Sequence, residues 1–273
     1  HRFAPQYHGT KELNGLQANA EVYFDDFGIP HIYAENELDA YMTLGYVHAQ
    51  DRLFQMEMMR RVGSGTLAEL LGEDLVDVDK FFRTLGIPKH AEWSTEEWNK
   101  EGNSPWKAAT DAYIRGVNQF IQNGKLPLEY TLLGAKPREF TINDVHSIVG
   151  YMSFTFAMGL KTDPLVTKMA RELGPDYLAS LSVQTLPEHH FIPNHYPDSL
   201  KTENLLVTSE LTALLEKFPV PLLEGSNAWV ISGSHTKSGQ VLFNNDTHIG
   251  FASPSVWYEA HLEYPGFSFY GNH

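Results

Sequence analysis

The amino-acid sequence predicts an α+β fold, in which a helical part is followed by a strand-rich part. Three observations lead to this prediction: helical apolar spacing through most of residues 1–185, a proline-rich stretch without periodicity, and strand-like segments from residue 226 onward. We therefore predict a mostly helical region at 1–185, a linker or spacer at 186–225, and a strand region at 226–273.

The helical part begins with a predicted β-hairpin over residues 20–34, AEVYFDDFGIPHIYA, because two groups of β-forming residues flank a turn. Pro30 predicts an edge position for the second strand, because proline cannot donate a ladder hydrogen bond. Asn36 is a candidate N-cap for a helix that extends to about Arg61. Further helices are predicted at 66–71, 105–123, 142–160, 164–173, 175–182 and, as a short one, 206–217.

Composition limits the classes of function. There are 34 acidic and 20 basic residues and the net charge is −14, with no basic stripe, so nucleic acid and anionic membrane surfaces are disfavoured as partners. The longest apolar stretch, Ile148 to Leu160, is too short to span a bilayer. The absence of cysteine excludes thiol catalysis, disulfides and thiolate metal sites.

Gly225 and Ser226 precede a predicted strand that begins at Asn227. An ordinary loop-to-strand junction is one interpretation. The other is a self-cleavage site, because glycine tolerates strained backbone angles and allows a neighbouring group to approach its carbonyl carbon. Cleavage there would give Ser226 both a hydroxyl nucleophile and its own α-amine, whose reference pKa of about 7.7–8.0 suits a general base. The dipeptide by itself does not decide between the two.

Two separate blocks of sequence give the second interpretation its weight. GSNAWVISG, followed by SGQVLFNNDTHIG and PSVWYEAHLE, strongly resembles the start of the catalytic chain of the penicillin acylase family of N-terminal nucleophile hydrolases. Residues 25–73, from DDFGIPHIYAENELDAYMTLGYVHAQDRLFQMEMMRR to AELLGE, resemble the family's other hallmark block. The resemblance covers most of the chain and is weakest between residues 185 and 222.

The resemblance implies a mostly helical acylase α-chain region followed by the opening strands of an αββα sandwich. It implies that a precursor cuts itself between Gly225 and Ser226 and releases a spacer. In the mature enzyme, Ser226 would attack an amide that joins an acyl group to an amine, and its α-amine would relay the proton. This chemistry requires no cofactor.

The resemblance also assigns roles to two neighbours of Ser226. His248 lies where family members carry glutamine or histidine, and its backbone is associated with stabilising the oxyanion. A buried histidine that orders a turn is the alternative. Asn227 is a candidate for orienting the new amine, whereas Asn245 and Asp246 are interpreted as turn residues.

By resemblance, the acyl pocket is lined by Phe156 and Met158 from the helical part and by Ile249 and Trp257 from the catalytic part. Ordinary hydrophobic core is an equally good interpretation of these four residues. Asp51 and Arg52, within the long predicted helix, are interpreted as structural hydrogen-bonding residues.

No metal site is predicted. Part of the family binds a structural calcium ion, for which Asp163 is a weak candidate ligand. His189, His190 and His195 form the one metal-like cluster, but their spacing fits no standard zinc motif, and a solvated linker is favoured.

Family members continue for several hundred residues after the nucleophile. We therefore expect the remainder of the catalytic β-chain as a partner, and no catalysis by the 273 residues alone. The substrate is expected to be a small N-acyl compound: a β-lactam side-chain amide, an acyl-homoserine lactone or a related amine, with His248 favouring the cephalosporin and acyl-homoserine lactone branches. Because the chain begins with His1, a removed signal peptide and a periplasmic or secreted location are compatible with it.

Two other functions remain open at this point. The first is a homologue that never cuts itself and acts as a binding or structural protein, with Gly225 and Ser226 still joined. The second is a metal-dependent hydrolase that uses the histidine-rich linker.

Overall fold

The computed structural model describes residues 3–157, 166, 168–169, 171–181, 223–250 and 252–273. The chain divides into two compact units, residues 1–152 with 249–273 and residues 153–248, and each is described by itself. The helices are α1 Glu37–Ser64, α2 Ala68–Leu71, α3 Val76–Leu85, α4 Ile87–Lys100, α5 Pro105–Asn123, α6 Leu128–Leu132, α7 Ile142–Thr155 and α8 Pro175–Ser180. The strands are β1 Ala20–Phe24, β2 Pro30–Ala34, β3 Leu223–Ile231, β4 Leu242–Ile249, β5 Glu259–Tyr264 and β6 Phe267–Asn272.

The first unit contains a four-stranded sheet with the strand order β1-β2-β5-β6. The predicted hairpin is confirmed, since β1 and β2 pair antiparallel from Ala20 opposite Ala34 to Phe24 opposite Pro30. On its other side β2 pairs parallel with β5, with Ile32 opposite Leu262. Strands from the two ends of the chain therefore share one sheet, and the observed class is α+β as predicted.

The edge position predicted from Pro30 is wrong, because β2 lies between β1 and β5. Pro30 is the first residue of β2, and the parallel register with β5 begins one residue later, at His31 opposite His261. The missing N–H of proline is therefore tolerated at the start of an interior strand.

Helix α1 follows the predicted boundaries closely. Asn36 is its N-cap, and the side-chain oxygen of Asn36 accepts a hydrogen bond of 2.9 Å from the backbone N–H of Asp39. The helix ends at Gly65, which adopts the left-handed conformation with φ 61° that favours glycine. The buried carboxylate of Asp39 also accepts backbone hydrogen bonds from Gln17 and Ala18, so it ties the N-terminal arm to the first turn of the helix.

Helix α5 packs against α1 with the two backbones nearly touching. A Cβ placed on Gly45 of α1 would lie 2.1 Å from the carbonyl oxygen of Tyr113. A Cβ placed on Gly116 of α5 would lie 1.9 Å from the carbonyl oxygen of Met42. Only glycine permits this approach, which brings α1 and α5 together over one hydrophobic core that also contains Ile32, Ala260 and Leu262 of the sheet.

The two helices between residues 76 and 100 were not predicted from the sequence. Helix α3 begins without a side-chain N-cap, and only Val78, Asp79 and Phe82 of its residues are buried. Helix α4 carries a proline in its first turn, where the missing N–H costs nothing, and buries only Ala91. Helix α5 matches its predicted bounds, whereas α7 ends at Thr155, earlier than predicted.

A buried cluster of charged side chains fixes the C-terminal half of α1. Arg60 is completely buried, and its guanidinium group binds the carboxylate of Glu57 and lies 4.2 Å from the ring centre of Phe140. Glu57 also accepts a 2.6 Å hydrogen bond from Arg61, while Asp144 lies 3.9 Å from Arg60. Burial lowers the pKa of Arg60, and the charge of Glu57 opposes that shift.

We predict that Gly45→Ala and Gly116→Ala each lower the free energy of unfolding by about 3 kcal/mol, because the added methyl group would overlap a backbone carbonyl on the facing helix. Gly102→Ala is the matched control, since nothing lies within 4 Å of its Cβ position, and we expect a change within about 0.5 kcal/mol. Urea unfolding of the three variants measures the difference. Equal stability of all three would contradict the close approach of α1 and α5.

We predict that Glu57→Gln lowers the free energy of unfolding by about 3–5 kcal/mol, because it removes the nearer of the two carboxylates that face the buried guanidinium of Arg60. The control is Glu97→Gln, which breaks the exposed pair of Glu97 with Lys100 and should cost less than about 1 kcal/mol. Thermal unfolding at one pH compares the two. A cost for Glu57→Gln as small as that of the control would show that the cluster contributes little to stability.

Candidate active site

Strands β3 and β4 pair to form a two-stranded sheet in the second unit. Gly225 and Ser226 lie inside β3, which begins at Leu223, and not at the entrance of a strand as predicted from the sequence. The physical reason is that ladder hydrogen bonds use backbone groups, so a glycine and a serine can continue an extended strand.

The backbone around the dipeptide is open. The φ angle of Gly225 is outside the left-handed region, and no atom lies within 4 Å of the position of a Cβ on Gly225. The side chain of Ser226 is exposed. Neither a left-handed angle nor steric crowding therefore requires glycine at position 225 of the uncut chain.

In the uncut chain the nitrogen of Ser226 belongs to a peptide bond. A peptide nitrogen has no basic lone pair, because that pair is delocalised into the carbonyl group. The intact strand therefore presents a hydroxyl group without an adjacent amine base. Only a break between Gly225 and Ser226 would create the base.

His248, at the end of β4, contacts two side chains of the same unit. Its Nε2 lies 2.9 Å from Oδ2 of Asp246 and 3.4 Å from Nδ2 of Asn227. One ring nitrogen cannot donate to the carboxylate and accept from the amide at the same time. The shorter contact assigns the Nε2 proton to the hydrogen bond with Asp246, so the 3.4 Å approach of Nδ2 of Asn227 is a packing contact and not a hydrogen bond.

The exposure and position of His248 and Asp246 bear on what was predicted for them from the sequence. His248 is 45% exposed and Asp246 is 59% exposed, so a buried histidine that orders a turn, the alternative interpretation, is wrong. Asp246 lies inside β4 and not in a turn, because the strand extends over Leu242–Ile249. The structure brings Asn227 and His248 within 3.4 Å of each other, and their roles remain a prediction.

The four predicted pocket residues are distributed over both units. Phe156, in the second unit, is 46% exposed, and Met158 lies outside the described residues. Ile249 and Trp257, in the first unit, are half-buried. The indole N–H of Trp257 is buried and has no hydrogen-bond partner within the described part of the chain. A shared acyl pocket remains a prediction.

Asp163 and the cluster of His189, His190 and His195 lie outside the described residues. Within the ranges that the structure describes, no group of three or more histidines and carboxylates is arranged to hold a metal ion. No helix in the same ranges combines the length and apolarity needed to cross a membrane.

The structure also reveals a polar network in the first unit. The carboxylate of Asp51 accepts hydrogen bonds of 3.0 Å from Tyr7 and 2.8 Å from Tyr258, which confirms the structural role predicted for Asp51. The ring of His48 stacks on Tyr258 with centroids 4.4 Å apart, and its Nδ1 lies 2.6 Å from the hydroxyl of Tyr113. No local sequence pattern predicts the contact of His48 with Tyr258, because the two residues are 210 positions apart.

Comparison with known proteins assigns the chain to a family. A family model described as penicillin amidase matches residues 19–273. The chain belongs to the penicillin amidase family. The resemblance seen in the two sequence blocks is thereby confirmed.

Curated members of the penicillin amidase family match nearly the whole chain. Penicillin acylase 2 proenzyme from Pseudomonas sp. strain SE83 is 32% identical over 279 residues, which cover 98% of this chain and 35% of that protein. Acyl-homoserine lactone acylase QuiP from Pseudomonas aeruginosa is 28% identical over 272 residues, which cover 96% of this chain and 31% of that protein. The chain thus spans about a third of the length of these relatives.

A solved structure of the same family supports the fold. Thermostable penicillin G acylase from Alcaligenes faecalis, in its tetragonal form, superposes with a TM-score of 0.50 and 28% sequence identity. The match covers 66% of this chain and 97% of that chain.

Proposed function

We propose that this chain is part of an acylase that hydrolyses the amide between an acyl group and an amine, with Ser226 as an N-terminal nucleophile released by self-cleavage. The observation that carries the proposal is the position of Gly225-Ser226 in a family-matched segment, followed by Asn227 in contact with His248. The names of the relatives, penicillin acylase and acyl-homoserine lactone acylase, favour the same reaction class.

Self-cleavage would proceed through an ester. The Oγ of Ser226 attacks the carbonyl carbon of Gly225, the C–N bond breaks, and the acyl group moves from nitrogen to oxygen. Water then hydrolyses the ester, which leaves a carboxylate on Gly225 and a free amine and hydroxyl on Ser226. The word "proenzyme" in the name of one relative fits such a maturation step.

The mature serine would then act on the substrate amide. Its α-amine accepts the hydroxyl proton as Oγ attacks the carbonyl carbon, and the same proton passes to the departing amine. Water hydrolyses the acyl–serine ester and restores the enzyme. No step requires a cofactor, and we propose none.

His248 and Asn227 would organise this site. The hydrogen bond of His248 to Asp246 fixes the imidazole ring, and the ring packs against the side chain of Asn227, which would directly follow the nucleophile. We propose that the backbone at His248 donates to the oxyanion and that Asn227 orients the new amine. Removing one such oxyanion donor costs about 3–4 kcal/mol of transition-state stabilisation in other hydrolases.

The exposed faces of the β3–β4 sheet indicate where the rest of the catalytic chain would bind. Val230 of β3 and Phe243 of β4 are 65% and 68% exposed, and a two-stranded sheet is marginally stable by itself. We propose that the remainder of the catalytic β-chain covers these side chains and completes an αββα sandwich. That partner would also supply the other oxyanion donors.

We propose small N-acyl amines as substrates, with acyl-homoserine lactones and β-lactam side-chain amides as the first compounds to assay. The relatives named for these two activities have similar identity to this chain, 28% and 32%, so identity does not rank the substrates. We further propose a periplasmic or secreted location, which cell fractionation tests.

We predict that the full-length gene product separates into two pieces, with one new chain that starts Ser-Asn-Ala-Trp-Val, and that the processed protein releases amine from an N-acyl substrate. Ser226→Ala should give one uncut chain without activity, because alanine has no hydroxyl group to attack the carbonyl carbon of Gly225. Intact mass, N-terminal sequencing and an amine-release assay measure both steps.

The control for this prediction is Ser234→Ala, which removes another exposed hydroxyl in the same unit and should leave processing unchanged. A wild-type protein that stays uncut would overturn the self-cleavage mechanism and favour a binding or structural homologue. Activity that metal chelation abolishes would favour a metal-dependent hydrolase instead.

We predict that His248→Gln keeps kcat/KM within about tenfold of the wild type, about 1.4 kcal/mol, because the backbone donor is unchanged and glutamine can still bond to Asp246. His248→Ala should lose more activity, since alanine removes the contacts with both Asp246 and Asn227. Steady-state kinetics on the processed protein compares them. A loss of a thousandfold or more in His248→Gln would instead assign a chemical role to the imidazole ring.

A further inference from the structure

Two segments that lie on opposite sides of Ser226 in sequence meet in the first unit. The segment after it contributes Tyr258 and strand β5, and the segment before it contributes α1, α5 and β2. β5 is bound by the parallel ladder with β2, and Tyr258 is bound by stacking on His48. Both contacts place a histidine of the earlier segment against a residue of the later one.

We propose that the contact between His48 and Tyr258 is an acid-sensitive latch, which holds the segment after Ser226 onto α1 while His48 is neutral and releases it when His48 is protonated. The latch is a property of the first unit and does not depend on the proposed function. If the chain is cut between Gly225 and Ser226, opening of the latch would loosen the contact between the two resulting chains, and this consequence rests on the proposed function.

The surroundings of His48 favour a neutral ring. The ring lies against the face of Tyr258, and Tyr258 is itself buried. The guanidinium of Arg52 lies 6.0 Å from the centre of the Tyr258 ring, so a second positive charge would arise close to it. The groups that face this site are Asp51 and Arg52 of α1, Tyr113 of α5, Tyr7 of the N-terminal arm, Tyr258 before β5 and His273 after β6.

No carboxylate is in hydrogen-bond contact with His48 to compensate a positive charge among the described residues. Both oxygens of Asp51 already accept phenol protons from Tyr7 and Tyr258. The hydroxyl of Tyr113 can donate to Nδ1 of the neutral ring, and protonation of that nitrogen would reverse this hydrogen bond, so the hydroxyl hydrogen would need another acceptor.

The electrostatics agree with this geometry. The pKa of His48 is lowered to about 3, mainly by burial and in smaller part by the charges of Arg52 and His273. A histidine in an unfolded or open chain has a pKa of about 6.5. Because the native value is the lower one, the stabilisation is fully present above about pH 6.5 and is lost progressively as the pH falls toward 3.

A second histidine contact joins the same two segments. Nδ1 of His31 in β2 lies 3.3 Å from Nδ1 of His261 in β5, and this hydrogen bond requires one neutral ring as acceptor. Asp25 lies 3.7 Å from His31, and Glu263 lies 3.6 Å from His261.

The test is hydrogen exchange of the 273-residue chain at pH 7 and pH 5, corrected for the intrinsic exchange rate at each pH. We expect the protection of the β5 amides to fall about tenfold on acidification, while α5 amides lose less. His48→Phe keeps an aromatic ring on Tyr258 but cannot take a proton, so its β5 protection should not change with pH. His8→Gln, at an exposed position, is the matched control and should behave as the wild type does.

Wild-type β5 protection that is the same at both pH values would overturn the latch, and so would a pH dependence that persists in His48→Phe. If that variant does not fold, NMR titration of the wild-type His48 ring decides. The ring should titrate only together with the loss of β5 protection, and a ring that titrates while β5 stays protected would refute the proposal. Failure of self-cleavage appears separately, as a single intact mass, and leaves these results unaffected.

Discussion

The parallel pairing of β2 with β5 is the interaction on which the first unit depends. It joins residues 31–33 to residues 261–263, and it places Ile32, Ala260 and Leu262 together on the face of the sheet that contributes to the core with α1 and α5. A parallel pair needs a long crossover, and here the crossover contains the whole second unit with Ser226. A break at Gly225-Ser226 would therefore leave the two segments held by non-covalent contacts of the first unit.

Helix α1 is surrounded by packed neighbours and is not a surface helix with one apolar face. It buries Leu44 and Leu53 in the apolar core and also buries Asp39, Glu57 and Arg60. Each buried charge has a stated partner: backbone N–H groups for Asp39, and each other for Glu57 and Arg60. Because unpaired buried charges are costly, these partners allow α1 to bury charged side chains beside its apolar core residues.

Local signals explain what could be predicted from the sequence. Asn36 and Gly65 mark the ends of α1 by capping chemistry, and the turn at residues 25–28 marks the hairpin. The helices α3 and α4 were missed because they bury few residues and lack a side-chain N-cap. The interior place of β2 could not be predicted, because the partner strand β5 is more than 200 residues away and no local pattern identifies it.

In the candidate site, too, some features were predictable from local sequence and others were not. The family motifs identified Ser226, Asn227 and His248 by residue type and spacing, and the structure adds the contacts that orient two of them. The partnership of His48 with Tyr258 lies outside any motif, because it depends on a fold that brings α1 against the start of β5.

The extended strand around Gly225 bears on how the proposed cleavage would be driven. Its φ is outside the left-handed region and its surroundings are uncrowded, so the two features that would mark a strained glycine are both missing at this position. Without such strain, attack by Ser226 on the Gly225 carbonyl would depend on positioned groups: a base for the hydroxyl proton and donors for the oxyanion. The role of glycine at this position would then be to allow Oγ of Ser226 to reach the carbonyl carbon of Gly225, because glycine has no side chain that blocks the approach.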